Sequence, residues 1–243
     1  SFSYPNGEEA VLKNIDFSCH KGQKIAVIGS TGSGKSTLVK LMNRFYDVSR
    51  GSIEINGIDI RKYDLESLRA QIGYVAQKAH MFKGSIRSNI CFGKPEASDE
   101  EMHHAASVAQ ASDFISKREH GYEDEIAEDG TNISGGQKQR LSIARVILKK
   151  PSLYIYDDSF SALDFKTDAT LRKALKPEVK NAIFFVVAQR ISTIMDSDMI
   201  IVLDEGQIIG MGTHAQLLKD CSVYQEIAHS QLTQKELDDY ERN

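Results

Sequence analysis

One stretch constrains this chain more than any other: Gly29 to Thr37, which reads GSTGSGKST. It fits the pattern G-x-x-x-x-G-K-[ST], with Gly29, Gly34, Lys35 and Ser36 in the fixed places and Ser30, Thr31, Gly32 and Ser33 between them. Glycines let the backbone wrap so that several N–H groups point inward at a polyphosphate. A helix beginning near Ser36 adds the positive end of its dipole. Lys35 supplies a mobile cation for the outer phosphates. The Ser36 hydroxyl suits Mg²⁺, a hard cation that prefers oxygen ligands. The flanks agree: residues 24–28, KIAVI, read as a buried strand, and residues 38–42, LVKLM, continue as a helix. Strand, glycine loop, helix is the order that phosphate binding requires.

The rest of the chain alternates between strand and helix patterns. A turn is expected at Asn6-Gly7, and strands at 11–17, 51–57, 72–75, 153–156, 183–187, 199–203 and 207–210. Helices are expected at 36–45, 64–70, 99–109, 112–117, 134–149 and from 214 to the end, where residues 232–243 are charged and prone to fray. Between 78 and 150 strand signals vanish, and 121–130 is an acidic loop, so this region reads as a helical insert. Strands alternating with helices imply a largely parallel sheet with ligand at the strand C-termini.

Composition narrows the function classes. A net charge of −4 argues against a basic surface for nucleic acid. No apolar stretch approaches the ~20 residues that span a bilayer. Cys19, Cys91 and Cys221 are odd in number and widely spaced, which suits a reducing compartment and neither a disulfide framework nor a zinc site. The chain opens on Ser1, without a start methionine or a signal peptide, and reads as a piece of something longer.

Two further constellations carry chemistry. Residues 153–158, LYIYDD, form an apolar strand ending in acids. After a phosphate loop, Asp157 is expected to hold Mg²⁺ through water. Residues 132–137, NISGGQ, give Ser134 and Gln137 the spacing of a helix capping box. Gly135 and Gly136 in that first turn are costly, up to ~1 kcal/mol each. They make sense if something must approach the backbone closely, and a helix start with bare N–H groups is a second anion site.

Ser-Gly-Gly-Gln opening a helix, between a phosphate loop and a strand ending in Asp, resembles the signature of ATP-binding cassette (ABC) proteins. The match runs over nearly the whole chain. Phe-Ser-Tyr-Pro at 2–5, GSIRSNI at 84–90 and AEDG at 127–130 resemble the exporter type. The resemblance implies an α/β fold: a P-loop NTPase core with a mainly parallel sheet (1–77 and 151–243), an ABC-type helical subdomain (78–150) and a small antiparallel β region. It implies that Tyr4 stacks on adenine and that residues 29–37 hold the phosphates of ATP. Gln77 would sense Mg²⁺ and the γ-phosphate, making Ser36, Gln77 and Asp157 the metal set. Ser134, Gly135, Gly136 and Gln137 would reach the γ-phosphate of an opposing cassette, and Asp164 would lie in the loop that crosses that interface. The working unit is then a head-to-tail pair at the cytoplasmic face of a membrane, joined to a transmembrane domain lying before Ser1, with no nucleic-acid partner.

Two positions depart from the family. The residue after the Mg²⁺ aspartate is normally Glu, which polarises the attacking water; here it is Asp158. The residue after the late strand is normally His; here it is Gln189. Asp falls short of the water by on the order of 1 Å, a misplacement that can cost ~10²-fold. Gln can donate a hydrogen bond but cannot become cationic as His can. The seven histidines read as surface or capping residues. With Lys35, Asp158 and Gln189 complete the catalytic set, and the combination resembles the impaired half of heterodimeric ABC exporters. The rivals are a competent homodimer with Asp158 as base, a soluble cassette of DNA repair, chromosome organisation or translation, and an importer. The chain shows neither the long heptad coiled coil of chromosome-type members nor the second cassette of translation-type members, and the exporter-like segments weigh against an importer.

Overall fold

The computed structural model describes residues 1–5, 7 and 9–233. Asn6 of the expected turn and the charged tail from 234 onward lie outside the described residues. In chain order the elements are β1 (Lys24–Gly29), α1 (Lys35–Met42), β2 (Glu54–Ile55), β3 (Ile58–Asp59), α2 (Leu65–Gln71) and β4 (Ile72–Val75). Then come β5 (Gly84–Ser85), α3 (Ile86–Ile90), α4 (Asp99–Val108), α5 (Ser112–Ile115), β6 (Glu125–Ile126), α6 (Gly135–Lys149) and β7 (Leu153–Asp157). The chain closes with α7 (Phe165–Glu178), β8 (Ile183–Val187), α8 (Ile191–Ile194), β9 (Met199–Asp204), β10 (Gln207–Gly212), α9 (His214–Asp220) and α10 (Ser222–Gln231). The fold is α/β with a mostly parallel central sheet and small antiparallel pairs, as the sequence implies. Contacts gather into two compact units, residues 1–72 with 183–243, and residues 73–182.

In the first unit β1 lies between β8 and β9 and pairs with both in parallel, Ile25 opposite Phe185 on one side and Met199 on the other. Ile25, Ala26, Val27 and Ile28 are fully buried. Each large aliphatic side chain buried here contributes about 1.5–3 kcal/mol, before the entropy cost of ordering it. A strand covered on both faces is a continuous apolar run, which is why 24–28 lacks alternation. β10 runs antiparallel along β9 and bends at a bulge between Ile208 and Gly210. The second unit sets β7 beside β4 and packs α6 against α3 and α4. Asn89, fully buried, accepts from Phe82 N–H and donates to the carbonyls of Phe82 and Ser85, tying the start of α3 to the chain before it.

Capping chemistry sets most helix starts. Asp64 accepts from Ser67 N–H ahead of α2, and Ser98 with Glu101 makes a reciprocal box ahead of α4. Thr213 with Gln216 does the same for α9. Lys150 turns left-handed (φ 52°) to end α6 one residue before Pro151.

Several expectations need correction. Residues 11–17 form no strand: Leu12 makes a single antiparallel bridge to Phe2, and Asn14, at φ 51°, breaks the extended run. The helix expected over 36–45 ends at Met42, because Arg44 is left-handed and the Asn43 side chain caps Val39 O. The strand expected at 51–57 shrinks to β2, closed on β3 as a two-residue hairpin. The region 78–150 does hold strand, the short antiparallel pair β5 and β6. The last helix is broken at Cys221, whose extended backbone separates α9 from α10. His214 is no surface residue: it is buried, and its Nδ1 lies 2.7 Å from Tyr224 Oη.

That burial has a pH consequence. Desolvation holds the His214 pKa below its ordinary value of 6.5. The unfolded chain therefore takes up this proton first on acidification, so stability is full above about pH 6.5 and declines as pH falls toward the depressed folded value. In His214→Phe this part of the pH dependence disappears. Thermal melting of the two proteins between pH 7.5 and 5.5 measures it as a smaller loss of melting temperature in the variant.

Candidate nucleotide site

The phosphate loop sits where β1 leaves the sheet. At Gly29 the backbone passes so close to β9 that an added Cβ would lie 2.0 Å from Leu203 O. Gly34 stands at φ 104° as the N-terminal boundary of α1, where a Cβ would strike Leu12. Only glycine serves at either point. Ser33 N–H donates to Ser30 O at 3.2 Å and Gly206 N–H to Ser33 O at 3.1 Å, so the loop is pinned from within and from the β9–β10 turn. The Ser30 hydroxyl donates to Asp204 at 3.3 Å.

Lys35 curls back over its own loop. Its ammonium donates to Gly29 O at 2.8 Å, Ser30 O at 2.7 Å and the Ser33 hydroxyl at 3.3 Å. Thr31, Gly32 and Ser36 are exposed, and Thr37 is buried with its hydroxyl 3.0 Å from Tyr4 Oη. Tyr4 is half-buried, set edge-on against Phe2 and Tyr46, with the Lys40 ammonium 5.9 Å from its ring centroid. The sequence assigned Tyr4 to adenine stacking by resemblance; in the structure its hydroxyl meets Thr37 at the end of the loop.

The second unit collects the acids. Asp157 ends β7 and Asp158 follows it; both are buried, 7% and 8% exposed. Tyr74 donates its phenol to Asp157 at 3.3 Å. Burial first, and then the Asp157 charge and hydrogen bond, push the Tyr74 pKa up to about 12. Asp158 is left-handed (φ 47°), a conformation Asp tolerates better than most residues. Its carbonyl accepts from the Ser161 hydroxyl at 2.7 Å, and its carboxylate accepts from the Gln77 amide at 3.1 Å.

The glycine-rich helix start belongs to the same unit. Ser134 and Gln137 form the expected capping box, with Ser134 N–H on Gln137 Oε1 at 3.0 Å and Gln137 N–H on Ser134 Oγ at 3.2 Å. Ser134 and Gly135 are exposed, and a Cβ on Gly136 would press to 3.3 Å on Ala162 O. Gln139, missed in the sequence, donates to Ala76 O at 3.2 Å and so ties α6 to the residue before Gln77. Asp164 is exposed and caps α7 through Thr167 N–H. Gln189, in the first unit, is exposed at the end of β8. Tyr74 and Gln139 carry no local sequence signal, because what distinguishes them is the carboxylate and carbonyl they meet across the fold.

Among the described residues no group of three or more His, Cys, Asp and Glu is placed to hold a metal ion. A magnesium ion delivered with a nucleotide needs few protein oxygens, because the phosphates and water supply the rest. No helix among the described residues is long and apolar enough to cross a membrane. Cys19, Cys91 and Cys221 are free thiols.

A phosphate loop, a buried acidic strand end and a capped Ser-Gly-Gly helix start define a nucleotide-binding cassette. The chain belongs to the ABC transporter family, whose model matches residues 12–161. It is 43% identical over 95% of its length to an uncharacterized ABC transporter ATP-binding protein of Mycobacterium tuberculosis. It is 44% identical over 93% of its length to YgaD of Bacillus subtilis, named as a multidrug export ATP-binding/permease protein. It spans about two-fifths of the length of both, 40% and 39%. A solved bacterial Atm1-family ABC exporter with ATP bound matches 94% of this chain, using 40% of its own, at a TM-score of 0.91 and 37% identity.

Lys35→Ala removes the one cation that the loop holds on its own carbonyls. Titration with a fluorescent ATP analogue is expected to show affinity weakened at least tenfold, with the fold retained by circular dichroism. Equal affinity in the two proteins contradicts the loop's role.

Proposed function

We propose that this chain is the nucleotide-binding domain of an ABC exporter, with an ATP-binding core at 1–77 and 151–243 and a helical subdomain at 78–150. It binds Mg²⁺-ATP and pairs head-to-tail with a second cassette. That pairing drives a transmembrane domain of the same polypeptide at the cytoplasmic face of a membrane. The family membership and the exporter relatives support this reading. Residues 29–37 cradle the phosphates, Tyr4 stacks on adenine, and Ser36, Asp157 and Gln77 serve the metal. Ser134, Gly135, Gly136 and Gln137 complete the partner's site, and Asp164 lies in the loop between the two.

We further propose that this chain's own site turns over slowly, as the impaired half of a heterodimer. One observation carries this: the Asp158 carboxylate stands where the family has Glu and is held by the Gln77 amide at 3.1 Å. Hydrolysis needs a carboxylate to orient a water in line with the γ-phosphate while the β–γ bridging bond breaks and ADP departs. A side chain one methylene shorter, and turned to Gln77, is poorly placed for that water. Gln189 can donate to the γ-phosphate without carrying positive charge.

The two changes act on one phosphate and one water, so their repair is non-additive. Asp158→Glu with Gln189→His is expected to raise turnover at least ~10-fold, and either alone to do little. The assay uses a dimer whose other site is silenced. Wild-type turnover there of ~1–10 s⁻¹, typical of enzymes, replaces this reading with the competent homodimer.

Ser134→Arg is expected to abolish ATPase of the assembled pair by filling the partner's γ-phosphate position. ATP affinity of this chain's own loop stays within about twofold. Loss of both places Ser134 in its own chain's site and overturns the head-to-tail assignment.

A further inference from the structure

Three holds on the segment after β8, among others, come from within its own unit. Ala188 N–H donates to Val27 O at 3.2 Å, which carries the β8 end along β1. Within α8 the Lys24 ammonium donates to Thr193 O at 2.9 Å, and past its end Asp198 accepts from Lys24 N–H at 2.7 Å. Between those anchors the chain makes its turn at Gln189 and Arg190, and there the third hold comes from far along the sequence. Gln231, in the last turn of α10, donates its amide Nε2 to Gln189 O at 2.7 Å and accepts Ile191 N–H on its Oε1 at 2.8 Å.

One planar amide thus bridges the backbone on both sides of Arg190. The pairing is chemically unambiguous, because N–H meets oxygen and C=O meets the amino group, which fixes the orientation of the Gln231 side chain. The helix that presents it is well seated: Tyr224 and Ala228 of α10 are fully buried. Gln189 Cα is therefore fixed relative to α10, while the Gln189 side chain stays exposed. Ile191 N–H is the first amide of α8, a donor that a single-turn helix cannot satisfy internally.

We propose that Gln231 is a positioning residue for the switch segment. Its amide sets the backbone from which Gln189 reaches a γ-phosphate, and so couples the C-terminal helix to discrimination between ATP and ADP. This rests on the reading of Gln189 as the γ-phosphate contact. A nucleoside diphosphate has no γ-phosphate to meet that contact, so the effect falls on ATP and spares ADP.

The test uses the intact protein that carries this chain, with ATP and ADP affinities, hydrogen exchange across 189–193 and thermal melting measured together. Gln231→Leu removes both hydrogen bonds. Exchange at Ile191 is expected to quicken about tenfold, ATP affinity to fall about tenfold and ADP affinity to hold, with the melting temperature near wild type. Gln231→Glu keeps the acceptor for Ile191 N–H but sets a carboxylate against Gln189 O. Exchange at Ile191 then stays slow while ATP preference drops. ATP and ADP weakened equally, with a lowered melting temperature, marks a purely structural residue and overturns the proposal. Gln189→Ala separates the two possible failures. If it lowers the ATP-to-ADP ratio and Gln231→Leu does not, the positioning role is wrong and the γ-phosphate contact stands. If neither lowers the ratio, the γ-phosphate contact falls and the positioning role falls with it.

Discussion

The structure depends on the complete burial of β1. Two parallel neighbours, β8 and β9, satisfy its backbone on both sides, and its side chains from Ile25 to Ile28 are closed to water. That burial forces the chain to leave the sheet abruptly at Gly29, where Leu203 O leaves no room for a side chain. The loop that follows is short, glycine-rich and pinned to the β9–β10 turn through Ser33 and Gly206. A rigid strand thus delivers a set of backbone amides and one lysine to a fixed place, which is preorganisation supplied by packing.

The acids obey the same logic with different parts. β7 is buried along its whole length, and its last residue, Asp157, is a charged group at the border of the core. Such a group persists only with polar partners, and the Tyr74 phenol is one. The next residue, Asp158, takes a left-handed turn that redirects the chain, so its carboxylate meets Gln77. The left-handed turn and the contact with Gln77 thus fall on one residue.

The C-terminal helices add a third layer. α9 and α10 are seated through the buried pair of His214 and Tyr224, and α10 in turn supports the turn after β8 through Gln231. The His214–Tyr224 contact and the Gln231 contact to the turn after β8 therefore meet on α10.

Much of this was legible along the chain. The phosphate loop, its strand and helix, the acidic strand end and the capping box at Ser134 are local patterns. Their physics operates over a few residues, through glycine conformations, strand burial and reciprocal capping, so spacing alone determines them. The α/β class followed for the same reason, since strand and helix periods alternate locally. Two of the elements that failed, the strand over 11–17 and the full length of the first helix, failed because single residues, Asn14 and Arg44, adopt left-handed backbone that alternation and periodicity do not register. The contacts between Tyr4 and Thr37, Tyr74 and Asp157, Gln139 and Ala76, and Gln231 and Gln189 were decided only by tertiary structure. Each joins groups separated by 33 to 83 residues, and a hydrogen bond across that distance leaves no periodic trace in the sequence.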